Sequence, residues 1–328
     1  MSVIAIVVNY NGWRDTVACV DSLLRSEYRD VRVWVIDNGS TDGSLQHLRD
    51  WAGALGHLVV PETTLAHADI DGARVVVVPA DRNRGFAGGC NVGLIEAMRR
   101  HPSAYILLLN SDATIAPDAL TLMVRDADAR PALGALGATI VRDDNPTVLE
   151  MLGGATVNVF GMVKTVRGGE PSSAPRPTAV HLDYVSGCCL LTRADAVARV
   201  GLMDERFFLY SEDVDWGLRM RHAGMEIAYC PAAEVRHKGG ASVGHRSPTH
   251  DYYMVRGALM LVQKHFPWAL PAALPYWAWR GILPKLARGQ WARLRAASRG
   301  YGDFLRGALR AGPAPVPVST VPDDRLAA

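Results

Sequence analysis

Several acidic side chains and one histidine stand where they could bind a metal ion or move a proton. The apolar run Tyr105–Leu109 is followed at once by Asn110-Ser111-Asp112. A strand buried on both faces reads as such a run, and ligands of open parallel sheets lie just beyond the carboxyl ends of the strands. A carboxylate there can bind a divalent cation, which in turn holds diphosphate oxygens. The alternative is that Ser111 or Asp112 caps a helix that begins near Pro117.

A second acidic group follows an aromatic cluster. Glu212, Asp213 and Asp215 come directly after the sequence FFLYS at 207–211, where a helix is predicted to begin near Ser211. Acids in a first helical turn are stabilised by the helix dipole, so a capping role is one interpretation. Bulky apolar neighbours, however, partly desolvate a carboxylate and make it a better base. We therefore favour a catalytic role for this group.

His237 is the third candidate. It is followed by Lys238 and two glycines, and it comes after a predicted strand at 226–230. A lone histidine is more often structural than a ligand. At a strand end, however, His237 could complete a metal site with Asp112.

Apolar strand patterns alternate with helical patterns in the first third of the chain. The predicted strands are residues 3–8, 31–36, 75–78 and 105–109. Each is followed by a polar loop, at residues 9–11, 37–42, 83–91 and 110–112. Strand and helix alternation predicts a parallel, doubly wound sheet, so these loops are expected at one edge of it. The glycines of 85–93 are expected to let the backbone approach a ribose or a phosphate, although a dinucleotide-binding fingerprint is absent.

The alternation weakens beyond residue 115. Strands are predicted at 135–141, 157–166 and 181–191 without regular helices between them, which indicates a mixed or antiparallel extension of the sheet. Residues 53–73 lack periodicity and are expected to form an irregular insertion. Residues 168–177 are a loop by composition.

The composition limits the class of protein. The chain has 328 residues, of which 49% are apolar and 21% charged, as expected for a globular protein with a large core. A net charge of +2 argues against a nucleic-acid-binding protein. Five cysteines without C-x-x-C spacing predict no zinc or disulfide framework and fit a reducing cytoplasm. Without a basic leader or a long apolar run, we expect a protein that is neither exported nor membrane-spanning.

The C-terminal region is basic. Residues 276–310 contain eight basic side chains and one acid, Asp303. A single helical face could carry Trp291, Leu294, Tyr301, Phe304 and Ala308. A basic amphipathic helix is typical of a surface that lies on anionic lipid. The alternative is a helix packed on the catalytic domain or on a second copy of the chain in a homodimer. The apolar segment 266–279 is interrupted by prolines and could enter a membrane interface without spanning it.

Seven blocks together resemble family 2 of the inverting GT-A glycosyltransferases, particularly its rhamnosyltransferase-like members. The blocks are VVNYNG at 7–12, VIDNGSTDGS at 35–44, NRGFAGGCNVG at 83–93, LLLNSDATI at 107–115, SGCCLLTR at 186–193, DERFFLYSEDVDWGLR at 204–219 and VRHKGGAS at 235–242. They follow the family's order and cover roughly the first three-quarters of the chain.

The resemblance implies an α/β GT-A fold with a Rossmann-like, mostly parallel central sheet, a mixed extension and a C-terminal helical, basic amphipathic region. Residues 1–115 would be the nucleotide-sugar-binding half, and 116–245 the acceptor-binding and catalytic half. Residues 246–311 would form the helical extension, and the proline-rich segment 312–328 a disordered tail.

The resemblance also assigns binding roles. Asp37 would hydrogen-bond the pyrimidine base of a nucleoside diphosphate sugar. The other nucleotide-binding residues would be Asn9, Tyr10, Asn83, Arg84, Asn91 and Ser111. Asp112 is similar to the last acid of the family's D-x-D motif, and His237 to the histidine that joins it on Mg²⁺ or Mn²⁺. Asn110 replaces the first acid of that motif, so the cation would lose one anionic partner.

Asp213 is similar to the family's general base, with Glu212 and Asp215 orienting the acceptor or the base. The implied reaction moves a sugar, L-rhamnose from dTDP-rhamnose, to a glycan or lipid-linked glycan in surface polysaccharide synthesis. A UDP-sugar donor, with N-acetylglucosamine or galactose, is the alternative within the family. From other classes, a nucleotidyltransferase or an inactive nucleotide-sugar-binding module remains. The implied location is the cytoplasm, with the inner face of the cell membrane as an option.

Overall fold

Strands and helices alternate strictly in the first third of the chain. The computed structural model describes residues 1–239 and 247–307. The elements up to residue 109 are β1 (Val3–Asn9), α1 (Trp13–Leu24), β2 (Val31–Asp37), α2 (Ser44–Ala54), β3 (Leu58–Val59), α3 (Glu62–Leu65), β4 (Val75–Pro79), α4 (Gly85–Arg100) and β5 (Tyr105–Leu109). The predicted strands are therefore present. The segment 53–73, expected to be irregular, contains the short elements β3 and α3.

The middle of the chain adds shorter strands. Its elements are β6 (Ala113–Ile115), α5 (Ala119–Asp128), β7 (Leu133–Arg142), β8 (Leu149–Leu152), β9 (Gly154–Val157), β10 (Val163–Thr165), β11 (Tyr184–Val185), β12 (Cys189–Arg193), α6 (Ala194–Val200), α7 (Glu212–His222) and β13 (Glu226–His237). The two long strands expected at 157–166 and 181–191 are wrong in extent, because turns divide each region.

One ten-stranded sheet contains most of these strands. Its order is β3-β4-β2-β1-β5-β12-β7-β13-β6, with β8 paired to β7. The strands from β3 to β5 are parallel, whereas β12 runs antiparallel to both β5 and β7. A separate three-stranded sheet is formed by β10, β9 and β11. The expected mostly parallel sheet with a mixed extension is confirmed, and the two predicted halves share it.

Both faces of the sheet are covered. Along β1, Val3, Ala5 and Val7 pack with the core beneath α1, α2 and α5, whereas Ile4 and Ile6 face α4, α6 and α7. Alternate residues of a strand point to opposite faces, so an unbroken apolar run is required where helices cover both. The polar loops after the parallel strands therefore gather at one open edge.

The glycines of α4 serve packing rather than a ligand. A Cβ on Gly89 would lie 2.7 Å from Val8 Cγ1, and a Cβ on Gly93 would lie 2.8 Å from Ile6. Only glycine lets this helix approach β1 so closely. The expectation that these two glycines would admit a ribose or a phosphate is therefore wrong.

The capping role of Ser111 or Asp112 is also wrong. Strand β6 follows them directly and pairs with β13, and α5 begins only at Ala119, with Asp118 before it. Asn110, Ser111 and Asp112 instead form the turn between β5 and β6, beside the end of β13.

Helices form the C-terminal extension. They are α8 (Pro248–His265), α9 (Leu270–Trp277), α10 (Leu283–Ala287) and α11 (Trp291–Leu305), with a 3-10 turn at Pro267–Ala269 and a π turn at Ala278–Ile282. No helix among the described residues has the length and apolar character needed to cross a bilayer. Ala308 and the predicted tail 312–328 lie outside the described residues.

Helix α11 packs against α8. Phe304 is buried, Tyr252 donates its hydroxyl to Asp303 at 2.9 Å, and a Cβ on Gly300 would collide with the Tyr252 carbonyl oxygen. Trp291, on the same predicted face, is 59% exposed, and α8 belongs to the helical extension and not to the catalytic domain. The structure thus shows packing within the extension, and a lipid contact of this face stays a prediction. A helix that lies on lipid and a helix that packs on protein show the same amphipathic pattern, so the sequence alone did not distinguish the two.

Candidate active site

A cleft of about 360 Å³ opens where β5, β6 and β13 meet the N-terminus of α7. It brings together five of the predicted site residues: Ser111, Asp112, Glu212, Asp213 and His237. Apolar and aromatic side chains complete its wall, among them Phe86, Tyr184, Tyr210 and Met254. Two groups predicted from distant parts of the sequence thus face one cavity.

His237 lies between two carboxylates at one end of the cleft. Its Nε2 is 3.2 Å from Asp112 Oδ1, and its Nδ1 is 2.8 Å from Glu150 Oε2. Asn110 Nδ2 is 3.3 Å from the same Nε2. Burial alone would lower the pKa of His237, but Cys188, Asp112 and Glu150 raise it well above its usual value. The ring is thus fixed from both sides.

A divalent cation would have to displace the proton of His237, because only a neutral ring nitrogen can bind a metal. A histidine that binds a metal through one ring nitrogen usually hydrogen-bonds a carboxylate through the other. Glu150 is the carboxylate that His237 Nδ1 contacts. Asp112 and the Nε2 of His237 would then be the protein ligands. Within residues 1–239 and 247–307, no group of three or more His, Cys, Asp or Glu side chains is arranged to hold a metal by itself. The remaining ligands would come from a diphosphate and water.

The loop before α7 has an unusual backbone. Phe208, Tyr210 and Ser211 have φ values of 65°, 63° and 72°, in the left-handed region that non-glycine residues rarely adopt. Phe86 donates its backbone N–H to the Phe208 carbonyl at 2.7 Å. A Cβ on Gly85 would collide with that same carbonyl. Direct main-chain contact therefore fixes this loop against the start of α4.

The acid pair lies at the start of α7. Asp213 accepts two backbone hydrogen bonds, one from Gly187 at 3.0 Å and one from Val214 at 2.9 Å. Glu212 is buried, and its Oε2 has no hydrogen-bond partner among the described residues. Burial raises the pKa of both carboxyls, and for Glu212 the charge of Asp213 raises the pKa further. The pair therefore favours one shared proton, with the charge on the backbone-held Asp213.

Asp215 lies away from the cleft. It is fully buried and bonds to His265 at 2.8 Å, to Lys264 at 2.7 Å and to Arg219 at 3.0 Å. Burial would raise the pKa of Asp215, but these three partners outweigh it and hold the pKa below its usual range. Asp215 therefore fastens α7 to the end of α8.

Asn9 and Asp37 are both buried beneath the first two loops. Asn9 Nδ2 donates to Asp37 Oδ1 at 2.7 Å, and Ser40 Oγ donates to the same oxygen at 2.7 Å. Thr16 donates its hydroxyl to Asn9 Oδ1 at 2.7 Å. These bonds hold the two loops together. Tyr10 is half-buried on the same edge.

The three remaining predicted nucleotide-binding residues also make internal contacts. Asn83 Oδ1 accepts from the Gly85 N–H at 2.8 Å. Arg84 forms ion pairs with Glu62 and Asp81 at 2.7 and 2.9 Å. Asn91 is buried and its amide bonds Met203 and Glu205. None of the three is in the wall of the cleft among the described residues; Asn91 instead positions the segment that leads to the acid pair.

Sequence reasoning missed three contributors. Asn38 bonds the Gly85 carbonyl at 2.9 Å and accepts from the Arg84 N–H at 3.0 Å, which joins the second polar loop to the third. Its place in the DNGS motif was the available signal. Gly187, which donates to Asp213, lies in the SGCC block. Glu150 stands alone in the sequence, 87 positions from His237, and no local pattern marks it.

The fold and the cleft define a class. The mostly parallel sheet places polar loops, a buried acid and a histidine at its carboxyl edge, where open α/β sheets bind their ligands. The family model described as glycosyl transferase family 2 matches residues 4–201, more than half of the chain. The chain belongs to this family and is a glycosyltransferase, as the resemblance implied.

Individual relatives agree. The chain is 27% identical over 289 residues to an N-acetylglucosaminyl-diphospho-decaprenol L-rhamnosyltransferase of Mycobacterium tuberculosis, covering 83% of this chain and 84% of that protein. Among solved structures, it is similar in fold to a mannosyltransferase from Pyrobaculum calidifontis in complex with GDP-Man and Mn²⁺. There the TM-score is 0.53 at 20% identity, covering 92% of this chain and 86% of the other.

A second solved structure, GalNAc-T7 with UDP, GalNAc and Mn²⁺, gives a TM-score of 0.58 at 14% identity over 80% of this chain. The chain spans about half of that protein, 48% of its length. At these identities the two structures support the fold alone. Because the enzyme is a glycosyltransferase, the nucleotidyltransferase and inactive-module alternatives no longer apply.

Proposed function

We propose that this enzyme transfers L-rhamnose from dTDP-rhamnose, with inversion, to a lipid-linked glycan in the synthesis of a surface polysaccharide. The observation that carries the proposal is the placement of Asp213, held by two backbone N–H groups in the same cleft as Asp112 and His237. The name of the Mycobacterium tuberculosis relative supports the choice of sugar and of a diphospho-polyprenol acceptor.

Asp213 is proposed as the general base. Its carboxylate takes the proton of an acceptor hydroxyl while that oxygen attacks the anomeric carbon of the donor. The new bond from acceptor oxygen to carbon forms as the bond from carbon to diphosphate oxygen breaks on the opposite face, and the nucleoside diphosphate leaves. Two N–H donors fix the direction of the carboxylate, and burial raises its pKa, which makes it a stronger base.

Glu212 is proposed to orient the acceptor. Its raised pKa keeps it protonated near neutral pH, so it can donate a hydrogen bond. Its Oε2 is buried and without a partner among the described residues, as expected for a group that a substrate would satisfy. Asp215 acts indirectly, because its contacts with Lys264 and His265 hold the helix that carries Asp213.

Asp112 and His237 are proposed to hold Mg²⁺ or Mn²⁺ together with the donor diphosphate. A bound cation would offset the charge that develops on the leaving diphosphate. Ser111 lies beside Asp112 in the cleft, and we propose that it contacts the phosphates. Glu150 holds the His237 ring so that Nε2 faces Asp112.

The nucleoside is proposed to lie over the first three polar loops. Tyr10 on the first loop and Asn83 and Arg84 on the third are half-buried, and we propose that they contact the nucleoside or its ribose. Asn9, Asp37 and Asn91 are buried, so we propose that they act mainly by shaping these loops. Thymine and uracil present the same edge to such a site, so a UDP-sugar donor remains the second candidate.

The first test measures nucleotide binding, and sugar transfer is assayed afterwards. Calorimetric titration with dTDP, UDP and GDP, with and without Mn²⁺, should show Mn²⁺-enhanced binding of dTDP over UDP and GDP. Asp112→Ala should lose the metal-dependent part. Transfer assays with dTDP-rhamnose, UDP-N-acetylglucosamine and UDP-galactose then identify the sugar. Preference for UDP would replace rhamnose by a UDP-sugar, and no binding of any diphosphate would refute the donor site.

A lipid-linked acceptor implies work at a membrane surface. We propose a cytoplasmic enzyme that acts at the inner face of the cell membrane, without nucleic acid as a partner. Sedimentation velocity of the purified protein determines whether it is a monomer or a homodimer.

A further inference from the structure

The helical extension carries an exposed apolar ridge that no part of the described chain covers. From Pro267 to Ala287 the backbone stays helical through the 3-10 turn, α9, the π turn and α10. One side of this segment is buried: Ala269, Ala273, Trp277 and Gly281 recur every four residues. The opposite side is exposed and forms the ridge: Trp268, Pro271, Pro275, Trp279, Leu283 and Leu286 recur every three or four residues.

The ridge is unusual in what it exposes. Trp268 and Trp279 are 73% and 63% exposed, and Leu283 and Leu286 are 49% and 47% exposed. A surface helix of a soluble protein normally presents polar side chains on this side. A contiguous apolar patch with two tryptophans marks an interaction site, and tryptophan is the residue type enriched at the boundary between lipid and water.

The charges around the ridge are positive. Arg280 and Arg288 lie on the same helical segment and Arg295 lies on α11, and their side chains are exposed with no ion pair to any residue of 1–239 or 247–307. The other cations of the extension are partly neutralised: Lys285 and Arg293 pair with Asp251, and Arg299 and Arg306 with Asp303. Between residues 266 and 307, Asp303 is the only acid in the sequence.

We infer that this ridge lies in the headgroup region of an anionic bilayer, with the unpaired arginines on the lipid phosphates. The inference rests on the proposed function, because a lipid-linked acceptor has to be met at a bilayer. It assigns the contact to Trp268, Trp279, Leu283 and Leu286, not to the face of α11 that the sequence pattern favoured. The prolines at 271 and 275 fit a segment that lies along the interface without crossing it.

Vesicle flotation tests the ridge. The full chain is mixed with phosphatidylcholine vesicles with and without 30 mole per cent phosphatidylglycerol. We expect binding that depends on the anionic lipid and falls with salt. Trp268→Ser with Trp279→Ser should lower partitioning at least about 10-fold. Arg280→Gln and Arg288→Gln should each lower it about 5-fold, since each cation near an anionic surface contributes about 1 kcal/mol.

A matched control is a double variant at two exposed apolar positions on the sheet domain. Leu55 and Ile95 are 56% and 48% exposed, and Leu55→Ser with Ile95→Ser should leave vesicle binding within about twofold. Equal loss in both double variants, or no loss in the tryptophan variant, would overturn the assignment.

A second copy of the chain is the competing occupant of the ridge. Sedimentation velocity without lipid distinguishes it: a dimer that the tryptophan substitutions dissociate, with no vesicle binding, would overturn the lipid assignment. Titration with dTDP tests the donor site independently of the lipid contact. Vesicle binding without dTDP binding would refute the proposed function alone, whereas dTDP binding without vesicle binding would refute the ridge alone.

Discussion

The loops after the first strands and the start of α7 treat their buried carboxylate and amide groups differently. On the side of the first strand loops, Asn9 bonds Asp37, and Asn38 bonds the backbone of Gly85 and Arg84. On the opposite side, Glu212 keeps a buried oxygen without a partner in the described chain, next to the carboxyl of Asp213. Buried polar groups are normally paired, so the saturated side is built for shape and the unsaturated side for chemistry.

The largest effect should come from the unsaturated side. Asp213→Asn removes the proposed base, and turnover should fall about 10³-fold, within the range for loss of a general base. Binding of dTDP, measured by calorimetry, should stay within about threefold. Glu212→Gln is the matched control at the adjacent acid, because Gln keeps a hydrogen-bond donor, and it should cost no more than about 10-fold. Normal turnover in Asp213→Asn would remove the base assignment.

The next effect concerns how His237 is held. Glu150→Ala removes the carboxylate 2.8 Å from Nδ1, and the Mn²⁺-dependent part of dTDP binding should weaken about 10- to 100-fold. Glu150→Gln should restore part of it, because its amide oxygen can accept the same hydrogen bond. Glu170→Ala is the control, since Glu170 pairs with Arg167 away from His237. Identical dTDP affinity in the Glu150 and Glu170 variants would show that Glu150 has no positioning role.

A smaller effect tests the saturated side. Asn38→Ala leaves the Gly85 carbonyl and the Arg84 N–H unpaired, so the free energy of unfolding should fall by about 1–3 kcal/mol. Urea denaturation measures it. Asn145→Ala, in an exposed loop, should change stability by less than about 0.5 kcal/mol. A loss of turnover in Asn38→Ala without a loss of stability would mean that this side also takes part in the chemistry.

The pH dependence of stability tests the same acid pair in a second way. The folded state raises the pKa of Glu212, so it binds a proton more tightly than the unfolded chain does. The stability that this group contributes is complete below the ordinary glutamate pKa of about 4.3, and it is lost as pH rises through the raised pKa. Between pH 5 and 9, wild type should lose more stability than Glu212→Gln in thermal unfolding, by about 1.4 kcal/mol for each unit by which folding raises this pKa.

The thiol and the phenols around Glu212 do not obscure that measurement, whereas Asp213 titrates together with Glu212. Asp213, Cys90, Tyr184 and Tyr210 are the titratable groups that interact with it, and the pKa of each is raised. The thiol and the two phenols therefore stay neutral over most of this range. A parallel pH slope in wild type and Glu212→Gln would show that Glu212 is already ionised at pH 5.

What could be predicted from sequence was local. Apolar runs ending in polar turns indicated the parallel sheet and its edge, and so the positions of Asp112 and His237, whereas the acid pair was marked only by its aromatic neighbours. Glu150 was out of reach, because its contact with His237 depends on how β8 and β13 both pair with β7. The sequence could not show what the apolar face of α11 contacts, because packing against α8 and burial in lipid select the same apolar spacing.

The Asn91 assignment was of the same kind. An asparagine beside a glycine-rich turn can hydrogen-bond a ligand or the backbone of a residue far away in the sequence. Only the fold shows that the side-chain amide of Asn91 bonds the backbone of Met203 at 3.0 Å. Asp215 stands two residues from the base yet faces α8, because residues two apart on a helix point to different sides.

The main-chain contact between Gly85, Phe86 and Phe208 has a consequence for the cleft. The gap between the loop that precedes α4 and the loop that carries the acid pair is set by backbone atoms, so exchanging side chains in the cleft wall does not alter it. Substitutions at cleft-wall side chains such as Tyr210 or Met254 would therefore change the shape of the cleft without moving these two loops apart.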